Sequence, residues 1–388
     1  MSGLLRDARE ARGWTAARVR YGLRQAAEQR RVVIASDSSL RVMLSRWENE
    51  RAQPDSMYRM LLEDVFGLPA EALGLLPADN EDAASDLSPV IRHISRRTEP
   101  PPVVLAYLAS QLAEHARLDN LVGPSYVLPT ALGQLDQLEQ LAAHGSTEVA
   151  RLAARFAEFT GWLCQDSGNP EKALQLTTKA VDLADQAGDA ELSVYSSMRR
   201  SNILSMLGRP QLAASIARTA LSTAVQDFPD LVPVCLRQHA LASAGLHDEL
   251  TTRAAVEDAL GLSRANVSDK TELSPYCTTS YLQMEEAHCL LALGRPADAA
   301  EACRVALNEW PTVLVRDRTL CLARRAVALV ELREVDEACC NATAAVEGAR
   351  TAPSGRTIHL LRSIAIRLRP LGRNPRVREF TAALGEVA

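Results

Sequence analysis

The stretch richest in chemistry is positions 40–54, LRVMLSRWENERAQP. Leu40, Leu44 and Trp47 recur at i, i+4 and i+7, which predicts a helix with one apolar face, and Arg41, Ser45 and Asn49 fall on the opposite face. A short helix with a core stripe and a stripe of hydrogen-bonding side chains suits a DNA reader. Periodicity by itself fits an ordinary amphipathic surface helix equally well. Catalytic patterns are missing from the sequence: it has no G-x-x-x-x-G-K phosphate loop, no nucleophile elbow and no His-rich metal pattern. Glu285 and Glu286 stand near His288 on a predicted helix, yet adjacent glutamates point in different directions and no second histidine lies one turn away. The expectation is therefore a protein that is not an enzyme, with no catalytic residue, metal or cofactor.

The elements that position these residues begin with composition. The 388-residue chain carries a net charge of −5, but residues 1–60 hold twelve arginines against seven acids. A basic head on an acidic body suits a polyanion-binding module joined to something that does not bind polyanions. Lysine occurs only at 172, 179 and 270, which hints at a GC-rich bacterial coding sequence. The eight cysteines are scattered, and the one close pair, Cys339 and Cys340, lacks the C-x-x-C spacing of a zinc or redox site. They read as small buried hydrophobes in a reducing compartment. With no membrane-length apolar run and no secretory leader, the expected location is cytoplasmic, at the nucleoid.

In chain order, Leu4 to Arg12 predicts a first helix ended by Gly13, with Leu4, Leu5, Ala8 and Ala11 inward. Thr15 caps a second, whose inner face is Val19, Leu23 and Ala26 or Ala27 and whose outer face carries Arg18, Arg20, Arg24, Arg30 and Arg31. Ser36 to Ser39 supply caps for the third helix, Leu40 to Glu48. Pro54 and Asp55 open a fourth that stops at Gly67, and residues 68–73 add a final turn.

Leu44-Ser45-Arg46-Trp47-Glu48-Asn49 followed by Pro54 resembles the helix-turn-helix domain of Cro-like (Xre family) bacterial and phage repressors, in which the segment reads I-S-R-x-E-x-G and then Pro. Trp14-Thr15 before the second helix, and Leu62-x-x-Val65-Phe66-Gly67-Leu68 after the fourth, fit the same pattern. The resemblance implies a five-helix lambda-repressor-like domain whose third helix enters the major groove of double-stranded DNA. Ser38, Ser39, Arg41, Val42, Ser45 and Arg46 then fall at base edges and nearby phosphates, with Arg24 beside them. Glu48 is expected to make structural hydrogen bonds, since a carboxylate facing phosphates is repelled. The chain departs from the family in a longer connection between second and third helices, about residues 30–37, and in Glu50 at the usual glycine. Asn49 or Glu50 must then accept any left-handed conformation.

Residues 77–102 read as a linker, acidic and poor in apolar residues, ending in TEPPP, with a short helix around 90–96. After Pro102 every segment has helical periodicity, and a pattern repeats. Gly168 is flanked by Gly161, Ala173 and Ala180; Gly208 by Ser201, Ala213 and Ala220; Gly294 by Ala287, Ala299 and Ala306; Arg333 by Ala326, Ala338 and Ala345. A small residue seven before the turn, and two more five and twelve after it, let antiparallel helices approach closely. Turns at 168, 208, 245, 294, 333 and 372 give intervals of 40, 37, 49, 39 and 39. The repeat around Gly245 lacks downstream alanines in register.

This spacing resembles the tetratricopeptide repeat (TPR). Together the two resemblances imply an all-α chain: a helix-turn-helix domain at 1–76, a linker at 77–102 and a TPR-like α-solenoid at 103–388. By register with that repeat, Arg155, Glu158, Trp162, Gln165, Tyr195, Met198, Asn202 and Ser205 face a concave groove, and later repeats add His239, Tyr281, Met284 and His288. Asparagine at the place of Asn202 hydrogen-bonds a peptide ligand's backbone in such solenoids. The architecture resembles bacterial peptide-responsive regulators. The expected function is a homodimeric, sequence-specific transcriptional regulator whose array senses a short peptide or small-molecule effector; the alternative is an interaction scaffold with a vestigial DNA-binding head.

Overall fold

The structure is a computed structural model that describes residues 4–30, 32, 34–49, 52–54, 56–75, 100–143, 145–265, 272–311 and 314–387, without the side chains of Ser38, Ser56 and Glu71. The expected linker helix around residues 90–96 and the conformation of Glu50 lie outside these residues. The described residues form helices and turns with no strand, so the chain is all-α. It divides into two compact units, Met1–Asp86 and Leu87–Ala388.

The first unit contains α1 (Leu4–Ala11), α2 (Ala16–Arg30), α3 (Asp37–Glu48) and α4 (Ser56–Phe66); the fifth expected helix is a single 3-10 turn, Ala70–Leu73. Thr15 Oγ1 accepts from the Arg18 amide at 3.2 Å and Ser36 Oγ from the Ser39 amide at 3.4 Å, so both expected caps are made. Gly67, at φ +62°, ends α4. The core collects Leu5, Val19, Leu23, Leu40, Leu44, Trp47, Leu61 and Leu62. Two expectations for α1 are corrected: Leu4 is 54% exposed and Ala11 is exposed. A helix of eight residues has room for one fully buried position, Leu5.

The second unit pairs helices in succession: α5 (Pro102–Val122) with α6 (Pro124–Ala142), α7 (Thr147–Asp166) with α8 (Pro170–Gln186), α9 (Ala190–Met206) with α10 (Pro210–Asp227), α11 (Val232–Ala244) with α12 (Glu249–Ala265), α13 (Thr279–Ala292) with α14 (Pro296–Asn308), α15 (Val315–Glu331) with α16 (Val335–Thr351), and α17 (Gly355–Leu368) with α18 (Pro375–Gly385). The small residues do what their spacing demands. Ala173, Ala180, Ala213, Ala220, Ala299, Ala306, Ala338 and Ala345 are all buried, and a Cβ on Gly161 would stand 3.4 Å from the Ala173 carbonyl. Gly168, Gly208, Gly294 and Arg333 have positive φ, as turn residues of this kind require.

The irregular repeat is corrected by two residues. Gly245 has φ −64°, and the left-handed residue is His247, at φ +58°. Counted from His247, the three close-approach positions are Ala240, Thr252 and Ala259, all buried. Thr252 Oγ1 donates to the Ala240 carbonyl at 3.4 Å, as Ser201 Oγ donates to that of Ala213. Turn-to-turn intervals become 40, 39, 47, 39 and 39, and the excess falls entirely between His247 and Gly294. Gly372 has φ −61°, and larger residues, Val377 and Leu384, fill the two downstream positions of the last pair.

The second unit also closes on itself. The start of α17 rests on the end of α7, where a Cβ on Gly355 would lie 2.5 Å from the Asp166 carbonyl oxygen. Arg316 of α15 pairs with Asp119 of α5 at 2.6 Å, across 197 positions.

Candidate functional site

In the first unit α3 presents two faces of opposite character. Leu40, Leu44 and Trp47 are buried, and Trp47 packs on Tyr58 with ring centroids 5.3 Å apart. Ser39, Arg41, Val42, Ser45 and Arg46 are exposed, Val42 by 59%; the Ser38 side chain lies outside the described residues. Among the described residues Arg41 and Arg46 make no ion pair within contact distance, so both guanidinium forks are free to donate. Arg24 is exposed but engaged, its Nη2 2.9 Å from Asp37, which Arg20 also holds at 3.1 Å. The Arg20 hydrogen bond, with the nearby charges of Arg24 and Arg41, keeps the Asp37 carboxyl below its ordinary value.

Glu48 faces inward and is buried. It accepts from Arg9 Nε at 2.6 Å and from Arg9 Nη2 at 3.1 Å, tying α1 to α3. Asn49 has φ −102°, so of the two residues expected to accept a left-handed conformation, Asn49 does not take it. Its Nδ2 donates to the Ser45 carbonyl, and its Oδ1 accepts from Arg6.

In the second unit the first helix of every pair, α5, α7, α9, α11, α13, α15 and α17, contributes to a cavity of about 950 Å³. Glu158, Trp162, Gln165, Tyr195, Asn202, Tyr281 and His288 all line it. Five expected groove residues, Arg155, Met198, Ser205, His239 and Met284, do not. Arg155 is exposed outside it and reaches only the rim, where it stands 3.9 Å from Glu272. His239 is half-buried on the far side of α11, where Arg218 and Asp248 supply the nearby charges. The two-residue shift of that repeat explains the error, because two residues on a helix stand about 200° apart, so His239 points almost directly away from Arg237, which does line the cavity. Met198 and Met284 are core residues.

The cavity wall is a connected polar network. Arg199 pairs with Glu158 at 3.3 Å and donates to Gln165 Oε1 at 2.7 Å. Gln165 donates to Asn202 Oδ1 at 2.6 Å, and Asn202 donates to Gln238 Oε1 at 3.0 Å. Both ends of the Asn202 amide are thus engaged within the protein, so a ligand backbone must displace one of them. Burial pushes the Glu158 carboxyl up.

On α13, Glu285 accepts from Arg324 at 2.7 Å and lies 3.8 Å from Arg237. Burial works against its charge, but Arg324 first and Arg237 after it hold its carboxyl well below the ordinary range. Arg324 Nη2 lies 3.0 Å from His288 Nδ1. Since arginine only donates, Nδ1 accepts and His288 is neutral; burial first, and Arg324 next, lower its pKa. Asp317, half-buried on the wall, has neither hydrogen bond nor ion pair among the described residues, and burial raises its carboxyl.

Two guanidinium groups stand over the Trp162 ring, Arg199 at 4.9 Å and Arg356 at 4.5 Å from its centroid. Arg199 and Arg324 were not singled out in the sequence, and Glu285 was weighed there only as a catalytic group. All three stand nine residues before a turn residue, 208, 294 and 333, and that recurrence of charge at one register position was the signal available.

Among the described residues no group of His, Cys, Asp and Glu could hold a metal ion, and no helix is long and apolar enough to cross a membrane. No family model matches the sequence, and no curated protein matches it. The fold is that of a TPR-like helical solenoid. It is similar to a Rap protein solved in complex with competence and sporulation factor, with TM-score 0.52 and 12% identity over 77% of this chain and 90% of that one. It is also similar to NprR solved in complex with its cognate peptide NprX, with TM-score 0.50 and 14% identity over 76% of this chain and 79% of the other.

Proposed function

We propose that this chain is a ligand-responsive transcriptional regulator with a Cro-like, Xre-type DNA-binding head at 1–76, a linker at 77–102 and a TPR-like sensor at 103–388. The observation that carries the reading is the exposed face of α3, where Arg41 and Arg46 make no ion pair within contact distance among the described residues, opposite a buried apolar face. A bidentate arginine contact to guanine contributes about 1–3 kcal/mol of discrimination. One short helix reads only a few base pairs, so the regulator binds a near-palindromic operator as a homodimer.

The sensor takes an effector in its cavity, whose volume is at the upper end for ligand sites, roughly 300–1,000 Å³. NprR holds a cognate peptide, and by analogy a short peptide or a small molecule of similar size is the effector here. A ligand that changes the curvature of the solenoid changes the spacing of the two heads. The protein acts in the cytoplasm at the nucleoid, through binding and without a catalytic step.

Selection of genomic fragments by the purified full chain at low ionic strength tests the DNA reading. Bound fragments should share a two-fold motif, binding should fall steeply with salt, and the Arg41→Ala, Arg46→Ala double variant should lose it. Failure to select any fragment, with or without cell extract as a source of effector, refutes the head's assignment and leaves the solenoid as an interaction scaffold.

A further inference from the structure

The excess length between the turns at His247 and Gly294 is concentrated in one place. The connection from α12 to α13 spans residues 266–278, whereas α8 joins α9 through residues 187–189 and α16 joins α17 through 352–354. Its described part, 272–278, does not run over the outside of the solenoid. Glu272, Leu273, Pro275, Tyr276 and Thr278 all line the cavity.

The local chemistry is that of a built turn. The Cys277 amide donates to the Ser274 carbonyl at 3.0 Å, which makes Ser274 to Cys277 a β-turn with Pro275 at its first central position and Tyr276 at its second. Ser274 and Cys277, the two ends of the turn, are buried, and Thr278 caps α13 by accepting from the Tyr281 amide at 3.1 Å. The base of the turn is therefore fixed and its tip carries an aromatic side chain into the cavity. There the Tyr276 hydroxyl meets that of Tyr195 at 3.1 Å, and its ring packs edge-on against Tyr281 with centroids 5.1 Å apart and planes at 75°. Tyr195 is 5% exposed, so without Tyr276 its largely buried hydroxyl would lose this partner.

We infer that Tyr276 is a resident occupant of the effector cavity, and that the place it fills is a subsite for an aromatic ring bearing a hydroxyl, which an incoming ligand takes by displacing it. The chemistry of the place selects the class: an edge for the ring at Tyr281, a hydroxyl partner at Tyr195, and the positive charges of Arg199 and Arg237 nearby to favour an electron-rich phenol over a plain hydrocarbon ring. Rotation of one side chain about χ1 vacates the subsite while the turn's buried base stays in place. This inference rests on the cavity being the effector site, but not on DNA binding.

The test is titration of the purified full chain, by calorimetry, with p-cresol, toluene and N-acetyltyrosinamide. Tyr276→Ala should bind p-cresol at least tenfold more tightly than the wild-type chain and at least tenfold more tightly than toluene. Adding Tyr195→Phe should abolish that preference while leaving toluene binding unchanged. If N-acetyltyrosinamide binds the Tyr276→Ala variant more tightly than p-cresol, the subsite serves a tyrosyl peptide; if less tightly, it serves a free phenol, and either result supports the subsite. A Tyr276→Ala chain with native circular dichroism that binds neither probe more tightly than wild type overturns it. Should Tyr276→Ala not fold, Tyr276→Phe, which keeps the ring and loses the hydroxyl bond, must bind p-cresol several-fold more tightly than wild type, and equal binding overturns the inference. Since no DNA enters the measurement, its failure leaves the head's assignment untouched, and failure of fragment selection leaves the subsite untouched.

Discussion

Asp166, at the end of α7, accepts a hydrogen bond from Arg356 Nε, in the first turn of α17, at 2.9 Å across 190 positions. The carboxylate is fully buried; it also accepts from Ser354 Oγ at 2.7 Å and lies 3.7 Å from Arg316. The Arg356 guanidinium continues over the face of Trp162. The seam that closes the second unit and the wall of its cavity therefore share residues, and a ligand that moves Trp162 or Arg356 acts on the closure itself.

The seam is tight enough to be opened by one methyl group. A Cβ on Gly355 would meet the Asp166 carbonyl oxygen at 2.5 Å and the Ser167 carbonyl carbon at 3.0 Å, backbone atoms that no side-chain rotation can move aside. Gly355→Ala should destabilise the chain by about 1–3 kcal/mol, the usual range for overpacking. Asp166→Ala, which strands buried positive charge, should cost about 3–5 kcal/mol. Both should enlarge the radius of gyration in small-angle scattering. An unchanged radius together with wild-type stability in urea would show that the two ends are not held by this contact.

The turn residues make a prediction with opposite signs at neighbouring repeats. His247 and Arg333 hold φ near +60°, where side chains other than glycine are strained by roughly 1–2 kcal/mol. The added freedom of glycine in the unfolded chain offsets roughly 0.4–1 kcal/mol of that. His247→Gly and Arg333→Gly should therefore each stabilise by a few tenths to about 1 kcal/mol, whereas Gly294→Ala, at φ +72°, should destabilise by about 1 kcal/mol. Urea titrations of the three variants check this, and a loss of stability in His247→Gly contradicts the placement of that turn.

How far the fold could be read in advance follows from the range of each interaction. Leu40, Leu44 and Trp47 declare their face because a helix repeats every 3.6 residues, and Ala173 and Ala180 declare theirs because close helix approach tolerates only small residues. These are local constraints. The two-residue shift at His247 was missed because glycine at 245 is the cheaper residue for a left-handed turn, and the chain uses histidine instead. The Asp166 to Arg356 contact has no local signature, since nothing in either segment specifies a partner 190 positions away. Tyr276 was hidden by its place in a connection, where neither helical nor strand periodicity marks an inward side chain.

Acid should weaken the fold through two histidines. Burial lowers the pKa of both His239 and His288 from the ordinary 6.5, with Arg218 and Arg324 adding to it. Below pH 6.5 the unfolded chain takes up protons that the folded chain refuses, so this stability is present above 6.5 and is lost as pH falls through the lower folded values. Glu285 follows the same sign at lower pH, its contribution being lost below its ordinary 4.5. Glu158 and Asp317, raised by burial, oppose the trend, because they take up protons more readily in the folded chain. Calorimetry should show Tm falling between pH 7 and pH 5.5, with a shallower fall in a His239→Gln, His288→Gln chain. Equal slopes in the two proteins would remove the histidines from the account.

Stability and DNA binding should separate on α3. Glu48 lies on the buried side of that helix, and its paired contact with Arg9, whose side chain is also largely buried, joins α1 to α3. Arg9 has its guanidinium pKa raised by this hydrogen bond, against the opposing effect of burial. Glu48→Ala leaves Arg9 without that partner and should destabilise the first unit by about 3 kcal/mol, toward the lower end of the range for a broken buried pair. Arg46, two residues before Glu48 and so on the opposite, wet face of the helix, is exposed. Arg46→Ala should change stability by less than about 0.5 kcal/mol while weakening operator binding by about 1–3 kcal/mol. Urea melts and gel-shift titrations on a selected operator read the two quantities independently. If Glu48→Ala melts like wild type and loses binding, the carboxylate contacts DNA or a DNA-bound partner, and the structural role assigned to it is wrong.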